Sequence, residues 1–225
     1  MCFGGGGRAG GPTVVNLFYE AARPVMAGLL KALARFEAEG LDLVPADGPL
    51  IVISNHLHFA DPPLLGGVLP RYVRFMAKQE AFKAPFGWLF ANAYGAFPVR
   101  RNQVDRAALA EAERILRGGG VVGMFPEGHR SHGRGLLPAF DGAALIARRS
   151  SAPLLPVGIC GTERVFRGAP RWPIKLRVGE LFEVRRGCPL ADATTDMMER
   201  IAALLPREYQ GVYAAGKPVA TAALP

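Results

Sequence analysis

Apolar residues along the chain alternate between two spacings. Over residues 13–39 they recur at helical intervals, with Val15, Phe18, Ala22, Met26, Leu29, Leu33 and Phe36 on one stripe, and Pro24 kinks or divides the stretch. After a turn at Pro45-Ala46-Asp47-Gly48-Pro49 comes Leu50-Ile51-Val52-Ile53-Ser54, a continuous apolar run suited to a strand covered on both faces. Pro62-Pro63 then opens a helix, and Asp61 stands at its N-cap position. Residues 72–77 read as a second strand, 79–93 as a helix with Pro85 early in it, and 96–99 as a short strand. Residues 102–117 form a well-marked helix, with Asn102 as cap, Val104, Ala108, Ala112 and Ile115 as the buried stripe and Gly118 as the stop. A strand over 121–125, a helix over 141–149, a strand over 154–159, an extended piece over 174–184 and a helix near 195–204 complete the order.

Strands alternating with helices predict an α/β fold: a mostly parallel or mixed central sheet flanked by helices, preceded by an N-terminal amphipathic helical segment. The expected division is a glycine-rich flexible tail over 1–12, the helical segment over 13–40, the main domain over 41–210 and a C-terminal tail over 211–225. Arg23, Lys31 and Arg35 lie beside the apolar stripe of the helical segment. It reads either as a helix lying in a membrane interface or as an ordinary amphipathic helix packed on the domain.

Composition narrows the partners. Half of the 225 residues are hydrophobic, enough for a sizeable core, and the formal net charge is +8. That excess favours anionic partners, although a soluble basic protein would show it too. Aromatic residues do not interleave with basic clusters and no zinc-finger or basic-helix pattern occurs, so nothing points to nucleic acid. The three cysteines Cys2, Cys160 and Cys188 show no paired or metal-ligand spacing and fit a reducing cytosol. The longest uncharged run, 84–99, is broken by prolines and glycines and falls short of the ~20 apolar residues a membrane-spanning helix needs. The expected location is therefore peripheral, on the cytoplasmic face of a membrane, without a transmembrane helix.

Two blocks carry the chemistry, and both stand directly after predicted strands, where open α/β sheets place ligand sites. In the first, His56 is followed five residues later by Asp61. A strand-to-helix turn can fold the two together, so that the carboxylate fixes the imidazole tautomer and the free ring nitrogen acts as a base on a hydroxyl. In the second, Phe125-Pro126-Glu127-Gly128-His129-Arg130-Ser131, Gly128 permits a tight turn and Arg130 can grip a phosphate. Glu127 reads as an orienter of an arginine or a substrate hydroxyl, or as a surface ion pair. Arg100 and Arg101 add cationic groups at another strand end. A base beside an anion clamp suits a hydroxyl compound that carries phosphate. His56-x-His58 near Asp61 also permits a metal-dependent hydrolase, although a full ligand set would need both His129 and His132. There is no Gly-x-Ser-x-Gly elbow and no cysteine beside a histidine, so a covalent acyl-enzyme is not indicated. Phe82, Phe86, Trp88, Leu89 and Phe90 suit either core packing or the border of an acyl-chain groove.

The order His56-x4-Asp61, Gly95-Ala96-Phe97-Pro98-Val99-Arg100, Phe125-Pro126-Glu127-Gly128-x-Arg130-Ser131 and Leu155-Pro156-Val157-Gly158-Ile159 resembles the four motif blocks of the glycerolipid acyltransferases. The nearest branch is the 1-acylglycerol-3-phosphate acyltransferases, and the resemblance spans about residues 41–159. It implies transfer of a fatty acyl group from an acyl thioester, acyl-CoA or acyl carrier protein, to the free hydroxyl of a lysophospholipid, with 1-acylglycerol-3-phosphate first among acceptors and phosphatidic acid as product. Another lysolipid or a glycolipid is the alternative acceptor. The implied catalytic residues are His56, the general base, and Asp61, its orienter; Arg100, Glu127, Gly128 and Arg130 would bind the glycerol phosphate. No metal or cofactor is implied. His58 stands where the family usually has a small hydroxyl residue, and His129 where it usually has threonine. Both flank the pocket, which leaves the acceptor headgroup open.

Overall fold

The computed structural model describes residues 34–83, 95–100, 105–164 and 171–214, together with Pro24, Val25 and Gly28. Seven strands form one sheet in the order β1-β7-β6-β2-β5-β3-β4: β1 (Ala34–Glu39), β2 (Leu50–Ser54), β3 (Val73–Lys78), β4 (Phe97–Val99), β5 (Val121–Met124), β6 (Leu154–Cys160) and β7 (Trp172–Val178). Neighbours run parallel throughout except β6 and β7, which are antiparallel. The four α-helices among the described residues are α1 (Asp61–Val68), α2 (Arg106–Arg117), α3 (Gly142–Ser150) and α4 (Leu190–Ala203). The mixed α/β sheet expected from the alternation of periods is present.

Strand β2 shows why the continuous apolar run was needed. Successive side chains point to opposite faces. Ile51 and Ile53 enter a core with Ala112, Ile115, Ile146, Met197 and Ile201, drawn from α2, α3 and α4. Leu50 and Val52 enter a second core with Leu64 and Leu65 of α1 and with Phe75, Val157 and Leu176 from other strands. Full burial of each such side chain contributes about 1.5–3 kcal/mol. Both faces of β2 are therefore anchored, and the loop that follows it leaves from a fixed point.

Several boundaries differ from the sequence reading. Residues 34–39, expected to end the N-terminal helix, form β1 instead, paired in register with β7 from Ala34 opposite Trp172 to Glu39 opposite Arg177. The local reason is strict alternation. Ala34 is buried and Phe36 and Ala38 are half-buried, while Arg35, Glu37 and Glu39 are exposed. Glu37 and Glu39 pair with Lys175 and Arg177 at 2.8 and 2.9 Å. Upstream, Pro24, Val25 and Gly28 are helical and Val25 is exposed; the rest of the predicted helix lies outside the described residues. Asn102 and Val104 also lie outside them, and α2 is capped by Asp105, whose carboxylate accepts the N–H groups of Ala107 and Ala108. Residues 79–83 form a 3-10 turn, and 84–94 are outside the described residues. The last helix starts at Leu190, five residues earlier than expected. Residues 211–213, at the start of the expected C-terminal tail, form a 3-10 turn in which Tyr213 is buried and its hydroxyl accepts the N–H of Ala139. Among the described residues no helix is long and apolar enough to cross a membrane.

The topology brings loops together at one edge. β2, β3, β4, β5 and β6 are mutually parallel, so the segments after them all emerge at the same side of the sheet. β5 and β6 flank β2, with α3 between them in sequence. The chain that leaves β2 is therefore met from one side by the segment after β5 and from the other by the segment after β6.

Candidate active site

Asn55, the first residue past β2, fixes the start of the loop. Its amide donates to the carbonyl of Ile159 and accepts the N–H of Ile159, both at 2.8 Å, which adds a side-chain rung to the β2–β6 ladder. His56 follows, and the segment after β5 holds its backbone: its N–H donates to Glu127 Oε1 at 2.8 Å, and its carbonyl accepts the N–H of Ser131 at 2.8 Å. The imidazole stacks on Phe125, with centroids 4.2 Å apart and planes inclined by 20°. Its Nδ1 lies 2.7 Å from Asp61 Oδ2, and the side chain remains 12% exposed. A carboxylate only accepts, so Nδ1 carries the proton and the Nε2 lone pair is left for an incoming group.

Asp61 is fully buried and accepts four hydrogen bonds. Oδ2 takes His56 Nδ1 and the N–H groups of Leu57 and His58, at 2.7, 2.7 and 2.8 Å. Oδ1 takes the hydroxyl of Thr162 at 2.6 Å. The expected helix cap is not made: Asp61 is the first residue of α1, and the cap position is Ala60, which makes no side-chain cap bond. The physical reason lies in the sequence. A cap at residue 61 would bond the N–H two or three positions on, but Pro63 has none and Leu64 donates to the carbonyl of Ala60. With no forward partner, the carboxylate turns back on the loop it follows.

Glu127 is also turned inward. It is 1% exposed, and its two oxygens accept the N–H groups of His56 and Leu137, both at 2.8 Å. Burial pushes its carboxyl up to about 8, against the opposing pull of these two N–H groups. It is a strut behind the histidine, and not the surface ion pair that the sequence allowed. The turn beside it depends on Gly128, whose φ is +67° and where a Cβ would come within 2.8 Å of the Phe140 ring. Ser131 is buried, and its Oγ has no hydrogen-bond partner among the described residues.

The solvent side of the site is different. Arg130 is exposed and, with His58, His132 and Glu163, lines an open cleft of about 200 Å³. His58 Nδ1 accepts the N–H of Ala60 at 3.4 Å. His132 takes a left-handed backbone, φ 53°, a conformation disfavoured for residues other than glycine and concentrated at functional sites. Arg100 stands apart. It follows β4, three strands from β2 and hence about 14 Å across the sheet. Its backbone N–H and Nε both donate to Asp105 Oδ2, at 2.9 and 3.3 Å.

The fold thus gathers His56, Asp61, Glu127, Gly128 and Arg130 and leaves Arg100 on the outer rim of the same edge. His56 Nδ1 is committed to Asp61, and among the described residues no group of three or more His, Cys, Asp or Glu is placed to hold a metal ion. The sequence reading missed Thr162, the clamp made by Asn55, and the place of His132 in the cleft. Thr162 had a usable signal: it follows a buried strand at the edge where the other two blocks stand.

Comparison with known proteins agrees with this geometry. The model of a family described as Acyltransferase matches residues 35–160. The 1-acyl-sn-glycerol-3-phosphate acyltransferase of Bacillus subtilis is 31% identical over 138 residues, 61% of this chain and 68% of that protein. Human 1-acyl-sn-glycerol-3-phosphate acyltransferase beta is 31% identical over 67% of this chain and 55% of its own length. A chloroplastic enzyme of the same description from Brassica napus is 32% identical over 57% of this chain, a match that takes in only 38% of the plant protein. The crystal structure of the 1-acyl-sn-glycerophosphate acyltransferase PlsC from Thermotoga maritima superposes with a TM-score of 0.67 at 26% identity, covering 84% of this chain and 76% of that one.

Proposed function

This chain belongs to the acyltransferase family, and from that premise we propose that it moves a fatty acyl group from an acyl thioester to the free hydroxyl of 1-acylglycerol-3-phosphate, giving phosphatidic acid. The observation that carries the reading is the 2.7 Å contact of His56 Nδ1 with a buried Asp61, which leaves Nε2 as the base. His56 Nε2 takes the proton of the acceptor hydroxyl as its oxygen attacks the thioester carbonyl. The imidazolium so formed keeps its Nδ1–H on Asp61, which stabilises the charge. As the carbon–sulfur bond breaks, the same proton passes from Nε2 to the leaving thiolate. One O–H and one C–S bond are lost, one C–O and one S–H bond are gained, and the imidazole returns neutral.

Arg130 supplies a planar pair of donors for the acceptor phosphate, and His58 and His132 complete the cleft. Glu127 serves the same end from behind by holding the backbone of His56, and Gly128 by allowing the turn that aims Arg130. Arg100, on the rim, meets the anionic donor or the membrane surface. The net charge of +8 suits a peripheral position on an anionic membrane face, with either acyl-CoA or acyl carrier protein as donor.

The test is acyl transfer by purified protein with lysophosphatidic acid and each donor type. His56→Ala is expected to lose about 10²–10⁴-fold in kcat with an unchanged Tm. Full turnover by that variant would sink the mechanism. Activity confined to a different lysolipid or a glycolipid would keep the chemistry and replace the acceptor.

A further inference from the structure

We infer that Thr162 is a positioning residue for this reaction: its hydroxyl sets the orientation and the basicity of the Asp61–His56 pair. The inference rests on the proposed role of His56 as base. Thr162 is fully buried, 101 residues from Asp61 in sequence, and its Oγ1 lies 2.6 Å from Asp61 Oδ1.

The two oxygens of Asp61 are served differently. Oδ2 is crowded by three donors, all from the loop between His56 and His58. Thr162 is the one donor the described residues bring to Oδ1. The three donors on Oδ2 fix where that atom sits, but they leave the carboxylate free to turn about it; a donor on Oδ1 removes that freedom. It also draws negative charge away from the oxygen that faces the imidazole. Neighbouring groups that orient a functional side chain and tune its electronics in this way act through hydrogen bonds to the residue that touches the substrate.

Thr162 is itself held in place. It follows β6 through Gly161, whose φ is +94° and where a Cβ would lie within 2.1 Å of the Pro173 carbonyl oxygen. Gly161 therefore has to be glycine for the chain to pass β7 and deliver the hydroxyl. The turn is closed by the Arg164 N–H on the Gly161 carbonyl at 3.2 Å and by the Gly161 N–H on Glu163 Oε2 at 3.1 Å. The other oxygen of Glu163 accepts the hydroxyl of Tyr209 at 2.7 Å. Since Glu163 also lines the cleft, one short turn touches the acceptor side through Glu163 and the base through Thr162 and Asp61.

The experiment compares the intact chain with Thr162→Val, Thr162→Ser, Thr162→Cys and His56→Ala. It measures kcat, KM for lysophosphatidic acid, Tm, and the pH dependence of kcat/KM. Valine keeps the shape and removes the donor. Without that donor more negative charge rests on Oδ2 and the imidazolium is favoured, so the acidic midpoint of the profile rises. The expected result for Thr162→Val is a kcat about 10-fold lower, a KM within about twofold, and a midpoint higher by about half a pH unit. Thr162→Ser restores rate and midpoint, and Thr162→Cys, a weak donor, falls between. Should the valine variant not fold, the cysteine variant decides by the same midpoint. An unmoved midpoint, or a serine variant as impaired as valine, overturns the inference and leaves Thr162 as packing. Full activity of His56→Ala is a separate result, which removes the base and not the inference alone.

Discussion

The two sides of the His56 imidazole are built on opposite terms. Behind it, Asp61 and Glu127 are each at most 1% exposed, and every carboxylate oxygen there accepts a hydrogen bond from backbone, ring or hydroxyl. Toward solvent, Arg130 and His132 are exposed around an open cleft, and among the described residues Arg100 is tied to Asp105 on the rim. The difference separates what must be ready before substrate arrives from what substrate itself completes. A base has to hold one tautomer and one direction at all times, which requires a dry, saturated network. A phosphate clamp of long cationic side chains can gain its order from the anion, at the cost of side-chain entropy on binding.

That contrast breaks most sharply at Asp61. Asp61→Asn places an NH₂ group where four donors converge, so it disturbs both the tautomer of His56 and the loop from His56 to His58. The expected outcome is a loss of about 10²–10⁴-fold in kcat, with a lower Tm as well. A variant that kept its rate would show that the buried side does not prepare the base.

Glu127→Gln sharpens the buried half by pH. The folded-state carboxyl titrates at about 8, above its ordinary value of 4.5, so between these values the native state holds a proton that the unfolded chain has released. Stability of the natural protein therefore falls as pH rises through that window, and the glutamine variant lacks that fall. At pH 5 the variant is expected to melt ~4 °C lower, from one lost buried hydrogen bond. The gap should close at about pH 6 and reverse as pH rises further, because linkage removes more stability from the natural protein than one hydrogen bond supplies. Thermal melts of both proteins across pH 5–8 check it, and parallel curves would remove the raised titration of Glu127.

The smallest effect on the fold belongs to the solvent side. Arg130→Ala is expected to leave Tm unchanged and kcat within a few-fold, and to raise KM for lysophosphatidic acid about 10-fold. Steady-state kinetics over a range of acceptor concentrations decides it. A fall in kcat with constant KM would place Arg130 with the buried group instead.

Period and spacing along the chain were enough for the alternation that makes an α/β sheet, the burial of β2 on both faces, and the positions of His56, Asp61 and the 125–131 block after strand ends. Those features are local, because they follow from period, proline chemistry and short spacing. The sequence also contained two signals that were outweighed. The apolar stripe upstream drew residues 34–39 into a helix although Ala-Arg-Phe-Glu-Ala-Glu alternates strictly. Pro63 already denied Asp61 the N–H that a cap would need. Tertiary structure alone decided which way the buried carboxylates turn. Glu127 meets the backbone of a residue 71 positions away, Asn55 and Ile159 lock across 104, and Thr162 reaches Asp61 across 101. No period or motif encodes those distances. They exist because parallel pairing of β5 and β6 on either side of β2 carries three remote loops to one edge, where a buried polar atom must find a partner among whatever the fold has delivered.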